Sequence, residues 1–483
     1  MIFSSYKFIF AFLPAAVLGY GLAKRYRGIL GARMWLIAAS LVFYAQGNVK
    51  LLPILSLTVL FNYVIVSFMG RFDGRGHIRT LLYALSLLEN LGLLFYFKYL
   101  NFFLENVNRF LGKNIPMMEI LLPIGISFYT FTIISCVTDV YKNRIKPMSF
   151  LEFASFATFF PQLVVGPITR YDKIAEQITD DRFLKFNPDN IMSAVFLFSM
   201  GCGKKVLLAD PLISHAQGFY DASASGDLFS AWSGVLAYTF AYYFDFSGYI
   251  DMALGLGRIF NIKLPENFNS PYKARNFPDF WRRWNITVSQ FFNEQIFKNI
   301  FKFGNGVIKL IFATLITFAV SGIWHGAGWH FIAWGVVNGI LVSAGNVMTL
   351  KRKSLPAWLA YGLTFFFILL TRVLFDSSSM TQALSVYRLM FDIRPFFHKL
   401  TDLAGLGTDF TAFIGLGIYF IKDNLYIIAL MALSAFICFA LPNTGEIIKR
   451  DKLSRRYAVL SGIVLAASLF YMGAVSSFLY FQF

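Results

Sequence analysis

Two histidines, His325 and His330, lie in a stretch where titratable side chains are costly. No charged residue occurs between Lys309 and Lys351, and a polar ring in an apolar segment of this length is by default a candidate functional residue. A neutral imidazole can accept a proton from a hydroxyl group, which is the chemistry of a general base. Burial without an acidic partner disfavours the imidazolium and keeps the ring neutral.

The segment SGIWHGAGWH places glycines on both sides of His325 and Trp324 directly before it. Small residues allow close helix packing or a break in the chain, so the pattern predicts a ring presented to a cavity. A histidine hydrogen-bonded across helices for packing alone is the alternative, and these residues leave both open. His330, five residues later, is interpreted as such a support.

A second polar candidate, Asn285, lies forty residues before His325 in the segment NFPDFWRRWNITVSQFF. Pro278 suits the first turn of a helix. Spacings of three and four residues then predict one helical face that carries Asn285 together with bulky apolar side chains. The apolar members of that face are Trp281, Trp284, Val288 and Phe292.

Arg282 and Arg283 fall within the turn that precedes Asn285. A guanidinium group can hold a phosphate or a carboxylate through two hydrogen bonds, so both arginines are candidate substrate-binding residues. Tryptophan beside arginine is also common where a helix meets the membrane surface. An anchoring role is therefore the alternative.

The composition indicates the kind of elements that must position these residues. The chain has 483 residues, of which 57% are hydrophobic and only 14% are charged, and it is therefore interpreted as an integral membrane protein. Windows of about 20 apolar residues, the length that crosses a bilayer, predict about ten to twelve transmembrane or re-entrant helices. The net charge of +17 lies mostly in short breaks between apolar runs, where it orients helices, so no nucleic-acid partner is expected.

Cysteine and histidine spacing gives no indication of a metal site. The three cysteines are scattered without a CxxC pattern, and the five histidines include no HExxH, so neither a metal nor a redox centre is predicted. The cysteines are interpreted as packing residues.

Basic turns predict the orientation of the chain. The apolar run at residues 8–23 is followed at once by Lys24, Arg25 and Arg27, which indicates a retained first span with a cytoplasmic turn after it. Residues 442–456 form another basic interval, followed by a last apolar run at 458–481. Both termini are thus expected outside the cytoplasm.

Some predicted spans carry proline or charge. Residues 117–141 are predicted to form a helix kinked at Pro123 and Gly125, and the run FASFATFFPQLVVGPITRYDKI is predicted to be re-entrant or broken at Pro161. Residues 191–208 contain Lys204 and Lys205, which would either snorkel or meet an acid. Residues 232–260 contain two acids for which nearby arginines are the expected partners: Asp245 and Asp251.

The segments LPENFNSPYKARNFPDFWRRWN and SGIWHGAGWHFIAWGVVNG resemble the membrane-bound O-acyltransferase superfamily, and most closely its bacterial polysaccharide O-acetyltransferase branch. The resemblance extends in order through MIFSSYKFIFAFLP, LPIGISFYTFTIISCVTDVY, FFPQLVVGPITRY, GCGKKVLLAD and FDFSGYIDMALGLGRIFNIKLPENF. It covers most of residues 1–338, and little of it remains beyond.

The resemblance implies an all-α polytopic protein with its helices arranged around a central tunnel. The chain would be one membrane-embedded acyltransferase domain over residues 1–483, with core motifs at 117–340 and peripheral helices at 1–100 and 355–483. His325 and Asn285 are the implied catalytic residues. The implied donor- and acceptor-binding residues are Trp281, Arg282, Arg283, Trp324 and His330.

The implied reaction takes an acetyl group from a cytoplasmic thioester, acetyl-CoA or another acyl thioester, to a hydroxyl of a cell-envelope or extracellular polysaccharide of the alginate or peptidoglycan type. No tightly bound cofactor is expected. The implied location is the bacterial inner membrane among its lipids, and an extracytoplasmic acetyltransferase partner would be compatible with it. Direct attack and an acyl-histidine relay both stay open.

This chain departs from the branch in two places. Asn285 stands where the polysaccharide branch usually has a second histidine, which leaves the acceptor open, and residues 293–305 lack a longer loop rich in glycine and arginine. Two alternatives therefore remain: a D-alanyl transferase of the teichoic-acid type, which uses a carrier-protein donor, and a transporter or flippase without acyl transfer.

Overall fold

The computed structural model of the protein is built from α-helices. It describes residues 1–72, 76–180, 185, 187–222, 226–302, 304–353, 355–392, 410–450, 454–474 and 478–479, and no strand occurs within these ranges. The predicted all-α fold is confirmed. The end of the predicted last span, at residues 480–481, and residues 451–453 of the basic interval lie outside the described residues.

The described helices follow one another along the chain. In chain order they are α1 (Phe8–Ala45), α2 (Val49–Arg71), α3 (Gly76–Leu111), α4 (Ile126–Tyr141), α5 (Phe150–Thr158), α6 (Phe160–Leu163), α7 (Tyr171–Thr179), α8 (Pro188–Asp221), α9 (Leu228–Ile259), α10 (Phe277–Arg283), α11 (Ile286–Phe292), α12 (Val307–His325), α13 (Trp329–Leu350), α14 (Ala357–Asp376), α15 (Met380–Phe391), α16 (Phe410–Ala440), α17 (Thr444–Arg450) and α18 (Arg455–Tyr471).

Seven helices of the described chain are long and apolar enough to cross a membrane: α1, α2, α3, α8, α12, α13 and α14. Shorter apolar helices are present at Ile126–Tyr141 and Asn424–Ala440. Lengths of about 20 residues match the hydrocarbon thickness of a bilayer. The protein is therefore a multi-pass membrane protein.

The first helix, α1, is a hairpin of two arms. Its backbone leaves helical geometry at Arg27 and Gly28, and the indole Nε1 of Trp35 donates a hydrogen bond to the carbonyl of Ala16 at 2.9 Å. On a straight helix these two residues would be about 28 Å apart, because each residue adds 1.5 Å. The first arm corresponds to the span predicted at residues 8–23, and the predicted basic turn lies between the two arms.

Helix α4 starts later than predicted. Residues 113–123 are not helical, and the helix begins at Ile126 after Gly125, which adopts a left-handed conformation with φ of 74°. A side chain at Gly125 would come within 2.7 Å of the Cα atom of Val164. The prediction of one kinked helix over residues 117–141 is therefore wrong: Pro123 and Gly125 precede the helix, because the chain must turn tightly against residues 163–164.

The run around Pro161 is broken, as predicted. Helix α5 ends at Thr158, Phe159 is non-helical with ψ of 108°, and the four-residue α6 follows. Residues 153–169 are all buried. Irregular backbone at membrane depth is tolerated when protein surrounds it, and that is the case here.

Helix α9 forms the centre of the molecule. Its 32 residues are buried almost continuously from residue 237 to residue 257, and a helix apolar on every side is suited to such a position. Its acids are paired across the contact with α8: Lys204 Nζ lies 2.6 Å from Asp251 Oδ2, and Lys205 Nζ lies 2.7 Å from Asp245 Oδ1. The expectation of arginine partners is wrong, whereas the expectation that these lysines could meet acids is confirmed.

Helices α12 and α13 form the hairpin that carries the two predicted histidines. Their backbones approach closely at Gly322 and Gly335, where an added Cβ atom would lie 2.4 Å from the carbonyl oxygens of Phe331 and Phe318 respectively. The glycines of this segment therefore do permit close helix contact. The packing fixes the end of α12, on which His325 is the last residue.

Candidate active site

His325 lies in a buried aromatic environment. Its side chain is 8% exposed, and its ring centroid is 4.7 Å from that of Trp324, 4.9 Å from that of Trp334 and 5.0 Å from that of Phe375. We call these three rings the aromatic collar. The collar restricts the approach of other molecules to the imidazole to the directions it leaves open.

Two cavities meet at His325. The Asn285 cavity, of about 390 Å³, runs between the α12–α13 hairpin and residues 278–297 and is lined by Trp281, Asn285 and His325 among others. The His325 cavity, of about 100 Å³, is bounded by Gly125, Val164, Trp324 and His325. His325 therefore belongs to the walls of both cavities.

A third space extends this arrangement. The His330 cavity, of about 510 Å³, is lined by His330, Asp376, Gln382 and other polar residues. Lys98 and Leu122 line both this cavity and the His325 cavity. The His325 cavity thus shares lining residues with each of the other two cavities.

Asn285 does not lie on a continuous helix. Helix α10 ends at Arg283, Trp284 is extended, and Asn285 is left-handed with φ of 42° and ψ of 57° before α11 begins at Ile286. The prediction of one helix through Asn285 is therefore wrong, although Pro278 does lie in the first turn of α10, as predicted. Asparagine tolerates the left-handed region better than most residues, which suits it to this break.

Hydrogen bonds from a preceding loop hold the break in place. Asn267 Oδ1 accepts from the backbone N–H of Thr287 at 3.0 Å and from its hydroxyl at 2.6 Å. The Thr287 hydroxyl in turn accepts from the backbone N–H of Ile168 at 3.0 Å, and the N–H of Ile286 donates to the Asn267 carbonyl. The sequence interpretation missed Asn267 and Thr287 as positioning residues, although both fall in quoted motifs, ENFNSP and WNIT.

The Asn285 cavity contains two unused polar atoms. Trp281 Nε1 and Asn285 Oδ1 are buried, and neither has a hydrogen-bond partner among the residues that the structure describes. A buried donor or acceptor without a partner costs about 1–3 kcal/mol. Both residues line the same cavity as His325, so this donor and this acceptor are candidates for contact with a polar ligand.

The remaining predicted site residues have different surroundings. Arg282 lines the Asn285 cavity, with its side chain 71% exposed. Arg283 instead bonds Asp279 Oδ1 at 3.0 Å and the Asn269 carbonyl at 3.3 Å. Trp324 belongs to the aromatic collar, and His330 lies in the cavity named after it. Binding roles for these residues stay predictions.

Charged groups near His325 were not singled out from the sequence. Lys98 Nζ donates to the carbonyl oxygens of Trp324 at 2.7 Å and of His325 at 3.0 Å. Arg372 and Asp376 form a buried ion pair on α14 on either side of the collar residue Phe375. The signal was present: a lone lysine in the apolar segment FYFKYLNFF, and a base and an acid four residues apart in an apolar run.

Comparison with known proteins gives one family match. Residues 43–375 match the family described as MBOAT, membrane-bound O-acyltransferase family. That range contains His325, Asn285 and the residues that hold both.

Three relatives are similar to this chain. A peptidoglycan O-acetyltransferase of Helicobacter pylori is 36% identical, with 100% of this chain and 98% of that protein covered. A probable alginate O-acetylase of Pseudomonas aeruginosa is 34% identical over 81% of this chain and 75% of its own length. A teichoic acid D-alanyltransferase of Streptococcus thermophilus is 29% identical over 48% of this chain and 59% of its own length.

Proposed function

Because the chain belongs to the membrane-bound O-acyltransferase family, we propose that it moves an acetyl group from a thioester donor to a hydroxyl of a cell-envelope polysaccharide. It is a membrane-embedded O-acyltransferase, and its similarity to a peptidoglycan O-acetyltransferase and to a probable alginate O-acetylase supports acetyl transfer to a glycan. The observation that carries the assignment of roles is that His325 lines two cavities at once. Two substrates can therefore reach one ring from different sides.

The proposed step uses His325 as a general base. The acceptor hydroxyl oxygen attacks the carbonyl carbon of the thioester, and its proton passes to the neutral imidazole. The C–S bond then breaks, and the ring returns the proton to the leaving thiolate. A relay through an acyl-histidine uses the same ring as nucleophile and gives the same products.

Asn285 and Trp281 would bind the donor end of the reaction. The indole N–H of Trp281 can donate to the thioester carbonyl oxygen, where negative charge develops in the transition state. The Asn285 side-chain oxygen can accept a hydrogen bond from the donor or from the acceptor hydroxyl. Both atoms are without partners in the described residues, so they are available for these contacts without breaking existing ones.

The two substrates would enter from opposite faces. The Asn285 cavity extends toward Asn346 and Phe297, near the ends of α12 and α13 that adjoin the basic residues Lys302, Lys309 and Lys351. By the positive-inside rule that end is cytoplasmic, and a basic entrance suits an anionic donor such as acetyl-CoA. The His330 cavity then opens toward the cell envelope. In the same orientation both termini lie outside the bacterial inner membrane.

The proposal is tested with purified protein in liposomes. We expect acetyl transfer from radiolabelled acetyl-CoA to soluble glycan oligomers, and no aminoacyl transfer from a D-alanyl carrier protein. Aminoacyl transfer alone would support the D-alanyl alternative. Glycan movement without loss of the thioester would support a transporter, and either result would overturn the proposal.

An extracytoplasmic partner protein is a separate part of the proposal. With such a partner present, glycan acetylation should be faster than with the purified chain alone. Addition of an envelope extract to the liposomes measures this difference. An unchanged rate would contradict a role for a partner protein.

Substitutions at Asn285 should separate the contribution of its side-chain amide to activity from the contribution of its backbone conformation to stability. We expect Asn285→Ala and Asn285→Gly both to lower kcat/KM for acetyl transfer by about 10- to 100-fold, because each removes one hydrogen bond to a buried ligand group. The glycine variant should unfold at a higher temperature than the alanine variant, because φ of 42° strains alanine and not glycine.

Steady-state kinetics and thermal unfolding in detergent measure the two effects. Asn285→His, which introduces the residue usual in the polysaccharide branch, should retain more activity than either. Wild-type kinetics in the glycine variant would show that Asn285 serves only the turn.

A further inference from the structure

Lys98 differs from three other cations held in apolar helices. Lys204, Lys205 and Arg372 each contact a carboxylate. No carboxylate oxygen lies within 4.0 Å of Lys98 Nζ among the residues that the structure describes. A charge at membrane depth without a counter-ion is costly, and such residues mark substrate or ion paths.

The two hydrogen bonds that Lys98 makes only partly compensate for this. Its ammonium group has three N–H donors, of which two go to the carbonyls of Trp324 and His325. These carbonyls belong to the C-terminal turn of α12, where the helix dipole favours a cation. The third N–H has no acceptor among the described residues, so Lys98 has one donor left for a ligand.

Lys98 also lies where an acceptor must pass. It lines the His330 cavity and the His325 cavity, which share only Lys98 and Leu122 among their described lining residues. A ligand that enters through the His330 cavity therefore meets Lys98, whose ammonium group contacts the backbone carbonyl of His325.

The His330 cavity itself is suited to a hydroxyl-rich ligand. Gln217, His330 and Gln382 offer polar groups along its wall. The hydroxyl of Tyr220, a residue only 7% exposed, is buried without a hydrogen-bond partner in the described part of the chain. Asp376 also lines the cavity, but its carboxylate is held by Arg372 and does not neutralise Lys98.

We propose that the His330 cavity binds the glycan acceptor and that Lys98 selects an acceptor with an anionic group, a carboxylate or a phosphate, close to the hydroxyl that is acetylated. The inference rests on the proposed function and extends it by naming the class of acceptor. The anion supplies the counter-charge that Lys98 lacks, and binding it brings the neighbouring hydroxyl to His325.

The experiment compares matched acceptors with the full-length protein in liposomes. One is a uronic acid oligomer, the second is the same oligomer with its carboxyl groups reduced to alcohols, and the third is a polyol phosphate oligomer. We expect the wild-type kcat/KM to be at least about 10-fold higher for one of the anionic acceptors than for the neutral one, since a charge-assisted hydrogen bond contributes about 1.5–3 kcal/mol. The anionic acceptor with the higher kcat/KM shows whether the site prefers a carboxylate or a phosphate.

Variants of Lys98 then assign the preference. Lys98→Met should reduce the ratio of kcat/KM for the anionic acceptor to kcat/KM for the neutral acceptor to below about 3. Lys98→Arg should keep the wild-type ratio. A general effect on the end of α12 would lower both rates equally and leave the ratio unchanged. Lys7→Met, which removes an exposed lysine bonded to Gln46, should leave the ratio at its wild-type value.

Three outcomes would overturn the inference. Equal kcat/KM for neutral and anionic acceptors in the wild type would show that the protein has no preference for an anionic acceptor. An unchanged kcat/KM ratio in folded Lys98→Met would show that a residue other than Lys98 causes the preference. Acetyl transfer that continues in either case leaves the proposed function standing. Absence of transfer to any acceptor by the wild type would instead contradict the proposed function itself, and the inference with it.

Discussion

Replacing His325 with alanine is expected to lower kcat for acetyl transfer by about 10²- to 10⁴-fold, the range that loss of a general base usually produces. The ring is 8% exposed and lines both the Asn285 cavity and the His325 cavity. His330 is not placed to substitute for it, because His330 lines a different cavity. Initial rates with saturating acetyl-CoA and glycan oligomer measure the loss.

Matched variants show whether activity is lost because proton transfer by His325 is lost or because the packing is disturbed. His325→Gln keeps much of the shape of the ring but cannot accept and return a proton, so it should be nearly as inactive as His325→Ala. His77→Ala removes an exposed histidine at the start of α3 and should retain wild-type activity. Substantial acetylation by a folded His325→Ala protein, as judged by size-exclusion chromatography and thermal unfolding, would eliminate the general-base role.

Replacing Lys205 with methionine is expected to destabilise the protein by about 3–5 kcal/mol, because it leaves a buried carboxylate without its partner. The Lys205 side chain is 0% exposed and that of Asp245 is 1% exposed. The ammonium group lies 2.7 Å from Asp245 Oδ1 and 2.8 Å from Asp210 Oδ1. The contact joins α8 to the central helix α9, so its loss should affect the whole bundle.

Thermal unfolding in detergent measures this loss of stability and compares it with that of an exposed ion pair with the same N–O distance. Lys449 Nζ also lies 2.7 Å from a carboxylate, Glu266 Oε2, but the two side chains are 65% and 35% exposed, so Lys449→Met should cost no more than about 1 kcal/mol. The double variant Lys205→Met/Asp245→Leu should recover part of the lost stability. Equal effects of Lys205→Met and Lys449→Met would show that the buried pair contributes little.

The sequence predicted those features that depend on local composition. Apolar runs and basic turns located the spans, the glycines around His325 predicted a close helix contact, and Pro161 predicted a broken helix. Each follows from a property of the residues themselves: hydropathy, the missing Cβ atom, or the missing amide proton.

The features that failed depend on contacts from distant parts of the chain. Trp281, Trp284 and Asn285 have the spacing of one helical face in the sequence. The helix nevertheless breaks at Asn285, because hydrogen bonds between Asn267 and Thr287 stabilise a non-helical backbone there. The pairing of Asp245 with a lysine depends on how α8 packs against α9. The carbonyl partners of Lys98 are known only when α3 and α12 come together, at Trp324 and His325. Periodicity in one segment contains no information on such contacts.

The aromatic collar has a consequence for the cell that is separate from acyl transfer. A protein with cavities on both sides of one ionisable ring would short-circuit the proton gradient if water threaded past that ring. Trp324, Trp334 and Phe375, with centroids 4.7–5.0 Å from the imidazole, place apolar surface where such a water wire would have to run. Apolar surface around the ring disfavours a continuous chain of water past it, which would limit proton leakage through the site.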